Sequence, residues 1–496
     1  MAGYTRRNVT SSQLCPICGK PDFCYWLLTD TKDLLVCGRE TGAKDSVALG
    51  CDGERYVVVK PKTDGGRCVW AREQDVLREK QASYEAWCIE HGYKPKAKYT
   101  VQVLGDTVPV RRVVDTRPSD EELSEKIQSP ERLDTVYRNF LDLLVLEDYD
   151  KESLDREWGR YSEMIRTKYS IKTMPYPDQV VYGLKAKVGR FRGLKNKSRK
   201  QIMSLLVSRI GEPVGVPGFY SFVTKEGEKV WRFTGMGGIL FPVYDLKGRI
   251  IRLRVRDALP VSTGEYNGQK GEFHFNQYKL CWEFKRNGTN QKIVVCSPKE
   301  DISDIQMNTD FTPAGTKVKG KYKNFSSFQA KQDENGNWRN YYSQGTRSGS
   351  MLSIYTEDTD QKEVVYFTEG EKKAIVAHEL FKAPVISFPG VGFYNLLTSL
   401  NAENFDAVLG EEDRTILEEL KKRGAVIGVI CYDADKSTNE MVFRHEQNAI
   451  LSFMKGGLHM AIGDWNTGFG KGLDDIAIKG IRPTINYVKL DNSENI

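Results

Sequence analysis

The sequence predicts a multidomain chain of mixed α/β and α+β class, and three observations carry that expectation. Cysteines crowd into the first part of the chain, strands with alternating arginines dominate the middle, and short apolar strands alternate with helices after Gln361. A length of 496 residues fits about three domains at roughly 150 residues each. The expected boundaries are a cysteine-rich module over 1–90, a linker and helical connector with a basic stretch over 91–205, a basic strand-rich subdomain over 206–355, and an α/β domain over 356–496.

Of the 10 cysteines, seven precede residue 90, and clustering of this kind points to metal rather than disulfides in a chain without a secretory signal. The stretch CPICGKPDFCYWLLTDTKDLLVC places Cys15, Cys18, Cys24 and Cys37 at spacings that suit tetrahedral Zn²⁺ in a zinc-ribbon-like module. The CPICG knuckle aims two thiolates at one point, and the hairpin that follows returns a further ligand. Cys51 and Cys68 lie near enough to compete with Cys24 for the site. Tyr25, Trp26 and Tyr56 either stack bases or form the core of so small a module.

The connector opens with SPERLDTVYRNFLDLL, where Ser129 is a natural N-cap, Pro130 a first-turn residue, and Leu133, Val136, Tyr137, Phe140, Leu141 and Leu144 share one face. A second helix is expected over Lys151–Thr167, with no chemistry of its own. Leu184 to Gln201 then carries Lys185, Lys187, Arg190, Arg192, Lys195, Lys197, Arg199 and Lys200 without an acid. Such a run can neutralise nucleic-acid phosphates, or can simply be a solvated loop.

From Val214 onward the texture is strand and turn. In Arg249 to Val255, followed by Arg256, apolar residues alternate with arginines, which predicts a half-buried strand with a cationic outer surface. GTKVKGKY matches a phosphate-loop spacing but has Tyr322 where Ser or Thr must meet Mg²⁺, and no apolar strand precedes it. A nucleotide-hydrolysing motor of that type is excluded.

After Gln361 the order is VVYFT, a helix from Glu371, PVISFPGVG, a helix, AVIGVICYDAD, a helix from about Asn439 to Met454, and LHMAI. This alternation predicts a Rossmann-like, largely parallel sheet whose site lies at the carboxyl ends of its strands. Glu369 ends one of these strands, Asp433 and Asp435 follow another, and Asp474 and Asp475 follow a third. If the chain stays extended past Tyr432, Asp433 and Asp435 share a face and need a cation between them. Clustered ionised carboxylates are the hard oxygen donors that Mg²⁺ or Mn²⁺ takes.

The EG turn, the DxD after an apolar strand and the later acid resemble the Toprim domain of bacterial-type primases, topoisomerases and related nucleases. On that resemblance Glu369 matches the glutamate that serves as general acid/base or metal ligand, and Asp433 and Asp435 match the metal-binding DxD. Asp474 is the third acid, with Asp475 as the alternative. GGILFPVYDLKGRIIRLRVR resembles a primase core segment, which implies that Arg249 and Arg256 lie near template and nucleotide. GKYKNFSS resembles a further primase segment and makes Lys321 a candidate for phosphate or template contact. Lys372 and Lys471, beside the acidic segments, complete the implied nucleotide-binding set.

The order of zinc module, basic core and Toprim segment is similar to that of bacterial-type DNA primase, especially primase-like proteins of plasmids, phages and other mobile elements. The resemblance implies a nucleotidyltransferase that makes short primers on single-stranded DNA from nucleoside triphosphates. It also implies structural zinc, catalytic Mg²⁺ or Mn²⁺, and a separately encoded replicative helicase as a further partner. The sequence departs from the family pattern at EKKA, where primases usually have a tyrosine and an aspartate, and in lacking the usual zinc-module histidine. Two alternatives use the same residues differently: a Toprim-type nuclease, and a noncatalytic nucleic-acid-binding protein that keeps the fold. No apolar run approaches the roughly 18 residues that span a bilayer, and no signal peptide is evident, so a cytoplasmic location is expected.

Overall fold

The computed structural model of the chain describes residues 5–488 apart from 11–12, 22–23, 29–32, 40–46, 50–51, 53, 62–66, 78, 80–81, 84–117, 185–192, 290, 297–312, 314, 334–335, 406–408, 411–412 and 437–438. Cys51 and the basic residues Lys185, Lys187, Arg190 and Arg192 therefore lie outside the described residues. The chain divides into two compact units, Met1–Arg117 and Pro118–Ile496.

The first unit is an antiparallel sheet of β1 (Thr5–Asn8), β2 (Tyr25–Leu28), β3 (Leu34–Cys37), β4 (Val47–Leu49), β5 (Arg55–Lys60) and β6 (Cys68–Arg72), in the order β1-β2-β3-β6-β5-β4. Trp26, Tyr56 and Trp70 are buried with the cysteines in its core. Trp26 and Tyr56 are thus core residues, whereas Tyr25 is half-buried, with the Arg6 guanidinium 4.0 Å from its ring centroid and that of Arg67 at 5.3 Å.

In the second unit, α1 (Pro130–Asp142) begins at Ser129, whose side chain accepts from the Arg132 amide. Its apolar face joins the main core with Phe219, Phe325 and Leu253, so the expected connector is part of the domain it leads into. The expected second helix is broken. Gly159, at φ +55°, ends α2 (Asp148–Trp158), and the chain restarts through a single 3₁₀ turn as α3 (Ser162–Lys168). Only glycine adopts that backbone without strain, so the helix stops where the sequence places one.

Next come β7 (Lys172–Met174), α4 (Arg199–Ile210), and a hairpin of β8 (Phe219–Val223) and β9 (Lys229–Phe233). β10 (Gly238–Tyr244) and β11 (Ile250–Asp257) form the centre of an antiparallel sheet, flanked by β7 and by β17 (Tyr322–Asn324). Between β11 and β17 a second antiparallel sheet is inserted, in the order β15-β14-β13-β12-β16. It comprises β12 (Ser262–Tyr266), β13 (Gln269–Asn276), β14 (Cys281–Arg286), β15 (Lys292–Cys296) and β16 (Lys317–Val318). It has its own core around Phe273, Trp282 and Phe284. A small hairpin of β18 (Ala330–Gln332) and β19 (Trp338–Asn340) follows.

The last segment is the expected largely parallel sheet. β20 (Ser353–Tyr355), β21 (Val364–Glu369), β22 (Val385–Phe388), β23 (Ile427–Ile430), β24 (His459–Asp464) and β25 (Thr484–Tyr487) run in the order β20-β22-β21-β23-β24-β25. The four central strands are parallel and the two edges antiparallel. α5 (Glu371–Phe381), α6 (Ile416–Lys422), α7 (Glu440–Lys455) and α8 (Leu473–Ile478) pack around it. Among the described residues no helix is long and apolar enough to cross a membrane.

One sequence expectation needs correction. β11 does not present arginines to solvent: Arg252 is 2% exposed and Arg254 9%. The alternation is real, but a layer of protein covers the second face as well. Arg252 donates to the carbonyl oxygens of Ser348 at 2.6 Å and Ile251 at 2.7 Å. Arg254 reaches the fully buried Glu371 of α5, Nη1 to Oε2 at 3.2 Å, and the Pro389 carbonyl. Burial pushes the Glu371 carboxyl up in pKa, and Arg254 acts against that push. Removing one partner strands the other charge in the interior. Arg254→Met is therefore expected to cost about 3–5 kcal/mol in denaturant unfolding of the full chain, and adding Glu371→Met to recover most of the loss. A single variant as stable as the parent protein would contradict this reading of the pair.

Candidate active site and metal centres

Parallel pairing aligns Phe367 of β21 with Ile430 of β23, and the Cys431 amide continues the ladder to the Phe367 carbonyl at 2.7 Å. Glu369 therefore ends its strand level with Tyr432 and next to Asp433. Gly370 turns the chain at φ +89°, where a side chain would be strained, and α5 starts at once. After Asp433 the chain does not stay extended as the alternation argument assumed. The Lys436 amide donates to the Asp433 carbonyl, closing a turn at Ala434 and Asp435.

Glu369, Asp433, Asp435 and Lys471 line one cavity of about 950 Å³, together with Lys317 and Arg444. Val391, Tyr432, Met441, Val442 and His445 supply a less polar wall. That volume lies at the upper end of the roughly 300–1,000 Å³ range of small-molecule sites. Glu369 makes no hydrogen bond or ion pair among the described residues. Asp433 and Asp435 are held by cations from the chain itself. Lys373 pairs with Asp433 Oδ1, and Lys471 Nζ lies 2.8 Å from Asp435 Oδ2 and 3.7 Å from Asp433 Oδ2. The hydrogen bond from Lys471 keeps the Asp435 carboxyl below the usual carboxylate range.

The other expected residues lie elsewhere. Asp474 is buried and paired with Lys372 at 2.9 Å, and Lys372 also reaches Glu157 of α2 at 2.8 Å. Glu157 in turn accepts from Arg256 Nη1 at 2.6 Å. Burial works against the charge on Glu157, but Lys372 and Arg256 overcome it and hold the carboxyl at about 2. Asp475 accepts from the amides of Lys471 and Gly472, both at 2.9 Å, and so fixes the start of α8. Arg256 and Lys321 line a second cavity of about 860 Å³. The two cavities share a boundary at β16, with Lys317 on the first and Val318 on the second. Arg249 lines neither. Its guanidinium binds Asp245 Oδ2 at 2.6 Å and Glu131, and so secures the turn after β10. In the basic run, Lys195 pairs with Asp148, and Arg199 donates to the carbonyl oxygens of Pro175, Phe233 and Gly235.

Lys373 and Glu157 were not singled out from the sequence. Lys373 was within reach, because a residue in the first turn of α5 stays close to the strand end that carries Glu369. Glu157 was not, since 215 residues separate it from Lys372.

Glu369, Asp433 and Asp435 offer the hard oxygen donors that Mg²⁺ or Mn²⁺ takes, on the wall of a cavity large enough for a nucleotide. Their donor chemistry fits such an ion, but their ligand atoms do not all lie within 4.8 Å of one another, and Lys373 and Lys471 neutralise the two aspartates. Among the described residues, the ligand atoms of Cys15, Cys18, Cys24 and Cys37 form the one group of three or more lying within 4.8 Å of one another. Cys68 pairs in register with Cys37 across β3 and β6 but is not in that group. Gly19, at φ +66°, closes the knuckle, and its amide donates to the Cys15 carbonyl at 2.8 Å. Burial pushes the Cys18 thiol up to about 12, so the four sulfurs need a cation to become thiolates together.

Residues 358–482 match a family described as a domain of unknown function, DUF3854. No curated protein matches the chain. Among solved structures it is similar to the zinc-binding and RNA polymerase domains of Aquifex aeolicus primase, at 12% identity and a TM-score of 0.34. That match covers 72% of this chain and 59% of the other, less than two thirds of its length. The RNA polymerase domain of Mycobacterium tuberculosis primase DnaG, in complex with a double-stranded DNA oligomer with a 6-nucleotide overhang, matches at 10% identity and a TM-score of 0.32, over 71% of this chain and 80% of the other. The E. coli primase catalytic core matches at 13% identity and a TM-score of 0.29, over 66% and 68%. Likenesses this distant do not carry function, which has to be argued from the chain's own residues.

The purified protein is expected to hold about one zinc ion per chain, by elemental analysis, in a site that Cys24→Ser empties and Cys68→Ser leaves filled. Zinc lost from the Cys68 variant but kept in the Cys24 variant would contradict the ligand set.

Proposed function

We propose that the protein is a DNA-dependent primase that makes short primers on single-stranded DNA by metal-dependent nucleotidyl transfer, acting in replication of a plasmid, phage or other mobile element. The observation that carries the reading is the shared cavity: Glu369, at the end of β21, and the Asp433/Asp435 pair, just after the adjacent parallel strand β23, face a space of nucleotide size with lysines on its rim.

Asp433 and Asp435 would hold the divalent ion, with Glu369 as a further ligand or as the base for the attacking 3′-hydroxyl. The ion, when bound, supplies charge stabilisation at the transferring phosphate. The chain's own residues do the rest. The wall of Val391, Tyr432 and Met441 gives the nucleoside an apolar surface, and Lys471 offers a phosphate contact. Glu369, which makes no ion pair among the described residues, is available to take a proton.

Arg256 and Lys321, in the neighbouring cavity, would hold template or triphosphate. The zinc-binding unit would grip single-stranded template, with half-buried Tyr25 and its two arginines as the stacking and phosphate contacts. Nucleoside triphosphates and single-stranded DNA are the partners that this reading requires, and a replicative helicase would be recruited separately.

Purified protein incubated with single-stranded DNA, labelled nucleoside triphosphates and Mg²⁺ or Mn²⁺ is expected to yield new short oligonucleotides on a denaturing gel. The Asp433→Ala, Asp435→Ala variant is expected to yield none. Metal-dependent shortening of the template without synthesis would replace the primase reading with a nuclease.

A further inference from the structure

The two aspartates at the candidate site are already neutralised, and what neutralises them is covalently part of the protein. Lys373 sits in the first turn of α5 and pairs with Asp433. Lys471 bridges Asp433 and Asp435 from the segment before α8. Neither backbone can readily withdraw. The Lys471 carbonyl accepts from the Ala434 amide at 2.9 Å, and its own amide donates to Asp475. Only the long, flexible side chains can move, and Lys471 is 63% exposed along its length.

Formal charge shows what such movement would do. Glu369, Asp433, Asp435, Lys373 and Lys471 together carry −1, so this group of side chains favours a cation over a triphosphate. A divalent cation on the aspartates turns the same five side chains and the ion to +1. It also displaces two ammonium groups into a cavity already lined by Lys317 and Arg444. With the two aspartates taken up by the ion, the displaced ammonium groups are compact point charges suited to phosphate oxygens.

We propose that Lys373 and Lys471 are triphosphate ligands held in reserve on Asp433 and Asp435, and that entry of the divalent cation releases them to the nucleotide. The inference rests on the metal-dependent reading of this site and extends it by giving Lys373 a role and ordering the two binding events.

The test uses the full chain, with Mn²⁺ binding followed by electron paramagnetic resonance and triphosphate binding by a fluorescent nonhydrolysable nucleoside triphosphate. Lys373→Gln and Lys471→Gln, which keep side-chain length, are each expected to tighten Mn²⁺ binding to the free protein by about threefold to tenfold. The same variants are expected to weaken triphosphate binding in the presence of Mn²⁺ by about tenfold, since each loses one partly exposed charge contact. Lys471→Arg is expected to restore both affinities toward those of the parent protein. Opposite signs in the two assays carry the proposal. Shifts of the same sign, or a triphosphate affinity unmoved by either substitution, overturn it while leaving the metal site in place. Failure of the parent protein to bind Mn²⁺ overturns the metal-dependent reading and this inference together.

Discussion

The structure of the second unit depends on charges buried between its antiparallel sheet and the helix that opens the candidate site. Arg254 of β11 meets Glu371 at the start of α5, and Arg256, two residues on, reaches the next residue of that helix, Lys372, through Glu157. These contacts fix α5 against β11, and α5 begins one residue after the turn at Gly370 that follows Glu369. The position of the catalytic candidate thus follows from ion pairs whose partners lie in distant parts of the sequence. Such pairs contribute little net stability for the charge they bury, but they specify one arrangement, because any other leaves an uncompensated charge inside.

The same constraint explains what the sequence revealed and what it did not. The parallel sheet was legible because each strand is a short apolar run followed by a helix signal, and the acids at strand ends follow from that topology. The cap at Ser129 was legible for the same local reason. The alternation in β11 was legible too, but a period of two tells only that the faces differ, not that water covers one of them. Arg252 and Arg254 read as surface residues because their partners, Ser348 and Glu371, come from chain roughly a hundred residues away. The inserted sheet between β11 and β17 had no motif to announce it, only strand-like texture. Glu157 had no signal at all: it sits on a helix whose sequence looks like a plain connector.

At the site itself, the spacing of Asp433 and Asp435 posed a question that the fold answers differently from the sequence. Two carboxylates one residue apart require positive charge between them, and a divalent ion was the expected source. Lysines supply it in this state, one from the first turn of α5 and one from the segment before α8. On the metal-dependent reading proposed above, an external ion would have to displace this internal pair of ammonium groups. Asp474 is engaged differently, in the interior with Lys372. The acids expected as one set thus separate into a cavity-lining group and a structural one, with Asp475 capping α8.

The most direct test of the account is to locate the ion. Crystals of the full chain soaked with Mn²⁺ and a nonhydrolysable nucleoside triphosphate should show an anomalous-scattering peak among the carboxylates of Glu369, Asp433 and Asp435, with the triphosphate in the same cavity. A peak absent from that cavity, with Lys373 and Lys471 still on the aspartates, would contradict a metal-dependent nucleotidyl-transfer site there.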